Sequence, residues 1–273
     1  MNLAQKSTIC LLALATLPCL AQTAAPPAQA PPAPKQPTST AKPLAPLPPS
    51  PFNRTTILLD PAHGGADSGS RISDTLLEKD ITLSLAFKLR SLLAARGFTV
   101  VMTRDSDAAT QADTPTPLTL DDRAGIANRA HPVACLLLHA TAAGRGVHLY
   151  RSELDPIPYE VNETPWLTAQ AAWVTQSQNL QKQLGMALTR AHVPLVFSRA
   201  SVRPVDSFAC PALVVELAPK GSDNSTLTDD SYQQQVARAI AAALVFWQNQ
   251  AQPPQRLPAV QTPATAPETG AQP

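Results

Sequence analysis

Three short runs of the chain, "TTILLD" (residues 55–60), "ACLLLHA" (134–140) and "ALVVELA" (212–218), carry consecutive apolar residues instead of an apolar residue at every second position. A strand with one wet face alternates. A strand that is apolar throughout is buried on both faces, as in a largely parallel sheet covered by helices on either side. Segments of helical period lie between the runs. Residues 77–96 place Ile81, Leu85, Leu89, Leu92 and Leu93 on one face, and residues 228–250 do so with Val236, Ile240, Ala243, Leu244 and Trp247. Gly97 ends the first helix, and strands are expected at 98–104 and 146–152, a short helix at 120–130 and a longer one at 165–191. The alternation predicts an α/β fold, a three-layer αβα sandwich with a mostly parallel central sheet, in a single domain over residues 52–250.

The rest of the chain has another character. The whole sequence has 29 prolines against 10 glycines, and they are unevenly spread. Residues 22–51 and 251–273 are Ala, Pro, Gln and Thr with few large apolar groups, too little to offset ordering entropy, and read as a disordered linker and tail. Residues 1–21 read as a signal peptide, with Lys6 before a short apolar run and small residues around Ala21 and Ala24. That run falls short of the roughly 20 residues a bilayer span needs, so no membrane span is expected in the mature form. Cys19 follows "TLP" where a lipoprotein signal carries small residues, which argues against lipidation. A net charge of +1, with no basic run interleaved with aromatics, gives no argument for nucleic acid. Cys135 and Cys210 would remain after export, either as a disulfide or as two buried thiols, and neither has the spacing of a sulfur-ligated metal site.

In open α/β sheets the functional groups gather beyond the carboxyl ends of the strands. His63 lies just past the first apolar run, His139 near the end of the second and Glu216 near the end of the third, while Glu78 opens the first helix. Two imidazoles and a carboxylate suit zinc with a fourth position left for water, and a second carboxylate suits a general base. Each residue also has a plain structural role open to it. His63 can bond within a Gly-rich turn, Glu78 completes a Thr-x-x-Glu capping box with Thr75, and His139 can be a satisfied core histidine. Glu216, between Val215 and Leu217, is the hardest to explain away, because a buried carboxylate is costly unless paired, ligated or used. His131, His148 and His192 are assigned no catalytic role. His148 alternates with Val147 and Leu149 and is expected to face the opposite side of the sheet.

Taken in order, the motifs resemble the zinc-dependent N-acetylmuramoyl-L-alanine amidases of bacterial cell walls, the type-3 amidase family. The family opens with D-P-G-H-G-G, here "DPAHGG", followed by E-K-D at residues 78–80 and T-R-D at 103–105. An R-x-x-x-A-N helix matches residues 123–128, S-I-H-A-N-A appears as "LLHATA", G-V plus an aromatic strand as "GVHLY", and P-A-x-L-V-E as "PALVVE". The match spans essentially the whole folded unit. The resemblance implies a catalytic domain that binds Zn2+ through His63, Glu78 and His139, with Glu216 as the catalytic carboxylate. It implies hydrolysis of the amide between the lactyl group of N-acetylmuramic acid and L-alanine. The expected protein is a monomer acting on peptidoglycan, exported to the periplasm or associated with the cell wall.

The chain departs from the family pattern at Ala62, at Thr141, and in "LAPKGSDNS", which stands where G-F-x-S-N is expected after the catalytic Glu. These departures bear on substrate preference more than on reaction type. Some septal members carry an inserted helix that blocks the zinc until an activator protein moves it. Only residues 151–165, with Glu153, Glu160 and Glu163, fill that interval here, which predicts no such plug. Two alternatives stay open: a weakly catalytic peptidoglycan-binding protein of the same fold, and a zinc peptidase acting on another cell-wall amide.

Overall fold

The apolar runs do come together as neighbours. In the computed structural model, which describes residues 53–107, 118–157 and 164–251, β1 (Asn53–Pro61), β2 (Thr99–Met102), β3 (Pro132–Ala140), β4 (Val147–Ser152), β5 (Leu195–Ala200) and β6 (Ala212–Leu217) form one sheet in the order β2-β1-β3-β6-β4-β5. Strands β2, β1, β3 and β6 are mutually parallel. Strand β4 runs antiparallel to β6, and β5 runs parallel to β4. The sheet is therefore mostly parallel, as expected, with a reversed pair at one edge. The proposed signal peptide, Cys19, the linker and residues 252–273 lie outside the described residues, as do Glu160 and Glu163.

The two faces are covered unequally. Helices α1 (Glu78–Ala94), α3 (Val174–Arg190) and α4 (Asp230–Gln250) share one core with Leu136, Leu138, Leu213 and Val215 of the central strands. Leu85, Leu89, Leu184, Ile240 and Leu244 are fully buried there, each contributing about 1.5–3 kcal/mol of apolar burial. The other face has a smaller core, in which Ala124 and Ala127 of α2 (Leu120–Ala130) and Phe208 cover Leu58, Cys135, Leu137, Ala212 and Val214. Side chains alternate along a strand, so His139 and Glu216 belong to this second, lightly covered face. Cys135 and Cys210 are joined in a disulfide within it, with Cα atoms 6.3 Å apart.

Two elements differ from expectation. The helix expected over 165–191 is a 3-10 segment, Trp166–Ala172, followed by α3, with non-helical backbone at Thr168. Strand β5 was not anticipated. It is an edge strand, with Val196 and Phe197 about half exposed, and so lacks the unbroken apolar pattern of the buried strands.

The start of β1 and the end of α4 meet behind the sheet. Arg54, at the start of β1, donates through Nη2 to the carbonyl of Ala251 at 2.5 Å, and Trp247 donates to the carbonyl of Val133 at the start of β3. No helix among the described residues is long and apolar enough to cross a membrane.

Candidate active site

The opening strand delivers its histidine under firm backbone restraint. Asp60 is fully buried, accepts from the Thr103 hydroxyl and pairs with Arg123 Nη1 at 2.5 Å. Arg123 also donates to the carbonyls of Pro61 and His63, while Arg104 holds those of Pro61, Ala62 and Lys79. The T-R-D and R-x-x-x-A-N motifs thus grip the turn that carries His63. His63 itself adopts φ 63°, a left-handed conformation uncommon for a non-glycine residue, which persists where surrounding contacts over-determine it. Ala62 has no such backbone constraint, and its methyl is absorbed into the smaller core.

His63, Glu78 and His139 converge. One ligating atom from each lies within 4.8 Å of the other two. Glu78 Oε1 meets His139 Nδ1 at 2.6 Å, and Oε2 stands 3.2 Å from His63 Nε2. The backbone N–H groups of Ala140 and Ser70 donate to the same carboxylate. The capping box with Thr75 does not form: Leu77 is the N-cap of α1 without a side-chain hydrogen bond, because the Glu78 carboxylate is turned toward the imidazoles. On the far side of its ring, His63 Nδ1 meets Asp67 Oδ2 at 2.9 Å, which aims Nε2 into the cluster. A Cβ at Gly69, where φ is 63°, would stand 2.5 Å from His63 Cδ2 and 2.8 Å from Glu78 Oε2, so only glycine lets the loop lie this close.

The electrostatics follow from the geometry. Burial opposes ionisation of Glu78, yet the hydrogen bonds from His139 and the Ser70 N–H, with the His63 imidazole close by, hold it well below the usual carboxylate range. His63 is raised, chiefly by Glu78 against the opposing effect of burial, with help from Asp67. His63 Nε2 is buried and makes no hydrogen bond of acceptable geometry, although Glu78 is close. An orphaned imidazole nitrogen aimed at a carboxylate and a second imidazole fits a divalent metal with N and O ligands, and zinc in particular.

Glu216 stands beside this trio. It is the register partner of His139 on β3 and of His148 on β4, so the three residues form one row across the sheet. The expected orientation of His148 is corrected here. Its Nδ1 donates to Glu216 Oε2 at 2.7 Å, and Tyr150 donates to the same oxygen at 3.1 Å. Alternation along β4 was read properly, but which face is the site face depends on the antiparallel register with β6. His131 and His192 occupy left-handed positions just beyond α2 and α3, away from this row. Thr141 accepts from the Ala143 N–H and so closes the turn after β3. "LAPKGSDNS" leaves β6 by tying Ala218 and Pro219 to Gly146 through backbone hydrogen bonds. Asp67, His148 and Tyr150 were missed in the sequence, although Asp67 carried a signal, a carboxylate four residues beyond His63 in the same turn.

The comparisons agree with this arrangement. A family model described as N-acetylmuramoyl-L-alanine amidase matches residues 57–245. The germination-specific N-acetylmuramoyl-L-alanine amidase of Bacillus subtilis is 49% identical over 57 residues, which is 21% of this chain and 24% of that protein, so the match spans about a quarter of that relative's length. Among solved structures, the Ami1 amidase of Mycobacterium smegmatis superimposes with a TM-score of 0.57 at 20% identity, over 74% of this chain and 99% of that one. The CwlD amidase of Clostridioides difficile, solved in complex with the GerS lipoprotein, gives 0.56 at 22% identity, over 71% and 98%. At such identities the structural likeness shows a shared fold.

Proposed function

The chain belongs to the N-acetylmuramoyl-L-alanine amidase family, and from that premise we propose that it is an exported zinc hydrolase of peptidoglycan. The bond cleaved is the amide between the lactyl group of N-acetylmuramic acid and the L-alanine of the stem peptide. The observation that carries the reading is the convergence of His63, Glu78 and His139, with their ligating atoms within 4.8 Å, beside a strand-borne Glu216 in register with His139.

Bound by that trio, zinc would supply a lowered pKa for water and a polarised scissile carbonyl. The protein supplies the rest. Asp67 orients His63, and the Ser70 and Ala140 N–H groups orient Glu78, so the ligand directions are set before metal arrives. Glu216 takes the proton from the attacking water as its oxygen adds to the lactyl carbonyl carbon, then delivers that proton to the alanine nitrogen as the C–N bond breaks. The products are a lactyl carboxylate and a stem peptide with a free amine. The disulfide between Cys135 and Cys210 supports an oxidising compartment, hence export to the periplasm or cell wall. A regulating protein partner is a further expectation, for which the CwlD–GerS complex is a precedent.

The test incubates the purified mature protein with intact peptidoglycan and identifies released products by mass spectrometry. Zinc-dependent release of stem peptides with a free L-alanine amine is expected. It should fall by about 10²–10⁴-fold in Glu216→Gln, the range for loss of a general acid–base group. Cuts elsewhere in the stem would keep the metal site but move the bond. Wall binding without cleavage by folded, zinc-loaded protein would replace hydrolysis with a binding role.

A further inference from the structure

We propose that His148 and Tyr150 are positioning residues for Glu216, holding its carboxylate by Oε2 so that Oε1 is the oxygen left free to move the proton. The inference rests on the reaction proposed above and assigns it two side chains outside the metal ligands.

The sheet register creates the arrangement. Strand β4 runs beside β6 in the antiparallel sense with His148 opposite Glu216, and Tyr150, two residues on, presents its side chain to the same face. Glu216 therefore stands between a metal-ligand candidate on β3 and two donors on β4, one strand spacing of about 4.8 Å to either side. Both donors choose one oxygen. His148 Nδ1 reaches Oε2 at 2.7 Å and the Tyr150 hydroxyl reaches it at 3.1 Å, while Oε1 accepts no hydrogen bond from the described residues. A carboxylate can only accept, so the proton of the short contact is on Nδ1.

The ring is held in turn. A Cβ at Gly144, where φ is 78°, would come within 2.6 Å of both His148 Cε1 and Nε2, so the glycine lets the β3–β4 turn close over the imidazole. The His148 side chain is 11% exposed, against 23% for Glu216. Burial and the neighbouring Glu216 charge raise the Tyr150 phenol above its ordinary value, which keeps it a donor at working pH. A free glutamate on a strand would sample several rotamers. One tied at Oε2 presents Oε1 in a fixed orientation, and such fixed orientation lowers the barrier to proton transfer.

The experiment uses the zinc-loaded mature protein and its His148→Leu, His148→Asn and Tyr150→Phe variants on solubilised peptidoglycan strands, with zinc content checked for each. His148→Leu should lower kcat by about 10–100-fold with KM within about twofold, because the group acts in the reaction and not in binding. His148→Asn, which returns an N–H near the Nδ1 position, should recover to within about fivefold of the native kcat, and Tyr150→Phe should lose about 3–10-fold. Nitrogen-15 NMR of the native protein should show a hydrogen-bonded proton on His148 Nδ1 that is lost in Glu216→Ala. A native kcat in His148→Leu, or an Asn variant as slow as the Leu variant, overturns the role. Should His148→Leu fail to fold, Tyr150→Phe decides, since it removes only a hydroxyl and an unchanged kcat sinks the proposal. The NMR signal keeps the two readings apart. Its presence in a protein that cleaves no peptidoglycan overturns the reaction and leaves the contact standing, whereas its absence in an active protein overturns the contact alone.

Discussion

Asp67 shows how a candidate metal site can be arranged by a residue outside the set that would hold the metal. Its carboxylate meets His63 Nδ1 at 2.9 Å and so determines which imidazole nitrogen faces Glu78 and His139. Asp67→Asn should weaken zinc binding by about 10–100-fold, the usual cost of losing such a partner, read by competition with a chromophoric chelator. Fold stability in the metal-free protein should hardly change, because Asp67 is exposed. His63, His139 and Glu216 were legible in the sequence because they stand at or just past corresponding ends of apolar strands, and Glu78 because it opens the helix that follows the first of them. His148 was legible as a strand residue and not as a neighbour of Glu216. A two-residue alternation separates two faces, and only the register with the adjoining strand says which one holds the site.

Between elements, the most buried ion pair among the described residues joins β1 to α2. Asp60 has no exposed surface, Arg123 is nearly as buried, and Asp60 Oδ2 finds no partner, so the pair depends on Oδ1 alone. Arg123→Met would strand the Asp60 charge in the core and release the carbonyls of Pro61 and His63. Removal of one partner from a buried pair costs about 3–5 kcal/mol, a loss that urea denaturation would register, and zinc affinity should fall with it because the His63 turn is no longer gripped. The apolar runs and the amphipathic helices gave away β1, β3, β6, α1 and α4. Strand β5 did not, since an edge strand half exposed to solvent carries no continuous apolar signature. Nor did the break at Thr168, where the backbone leaves helical geometry without a proline or glycine to mark it.

At the scale of the molecule, the disulfide between Cys135 and Cys210 closes a loop with a sequence separation of 75 across the less-covered face. Chain-entropy reasoning gives such a loop about 4 kcal/mol of stability. For a domain of this size that corresponds to roughly 8–16 °C in Tm, so thermal scans with and without reductant should differ by about that much, and Cys135→Ser should match the reduced protein. The layered architecture was legible as a whole, because buried strands and amphipathic helices alternate along nearly all of it. The reversed pair β4–β5 was not, since strand polarity is a property of the assembled sheet.

The contact between Arg54 and Ala251 has a practical reach. It puts the first and last described residues at the rear of the sheet, while the histidines open at its front. A tag, a bead or a sensor surface joined directly at residue 53 or residue 251, in a protein trimmed to that range, would therefore hold the domain by its back and leave its mouth facing outward, toward whatever polymer it is offered.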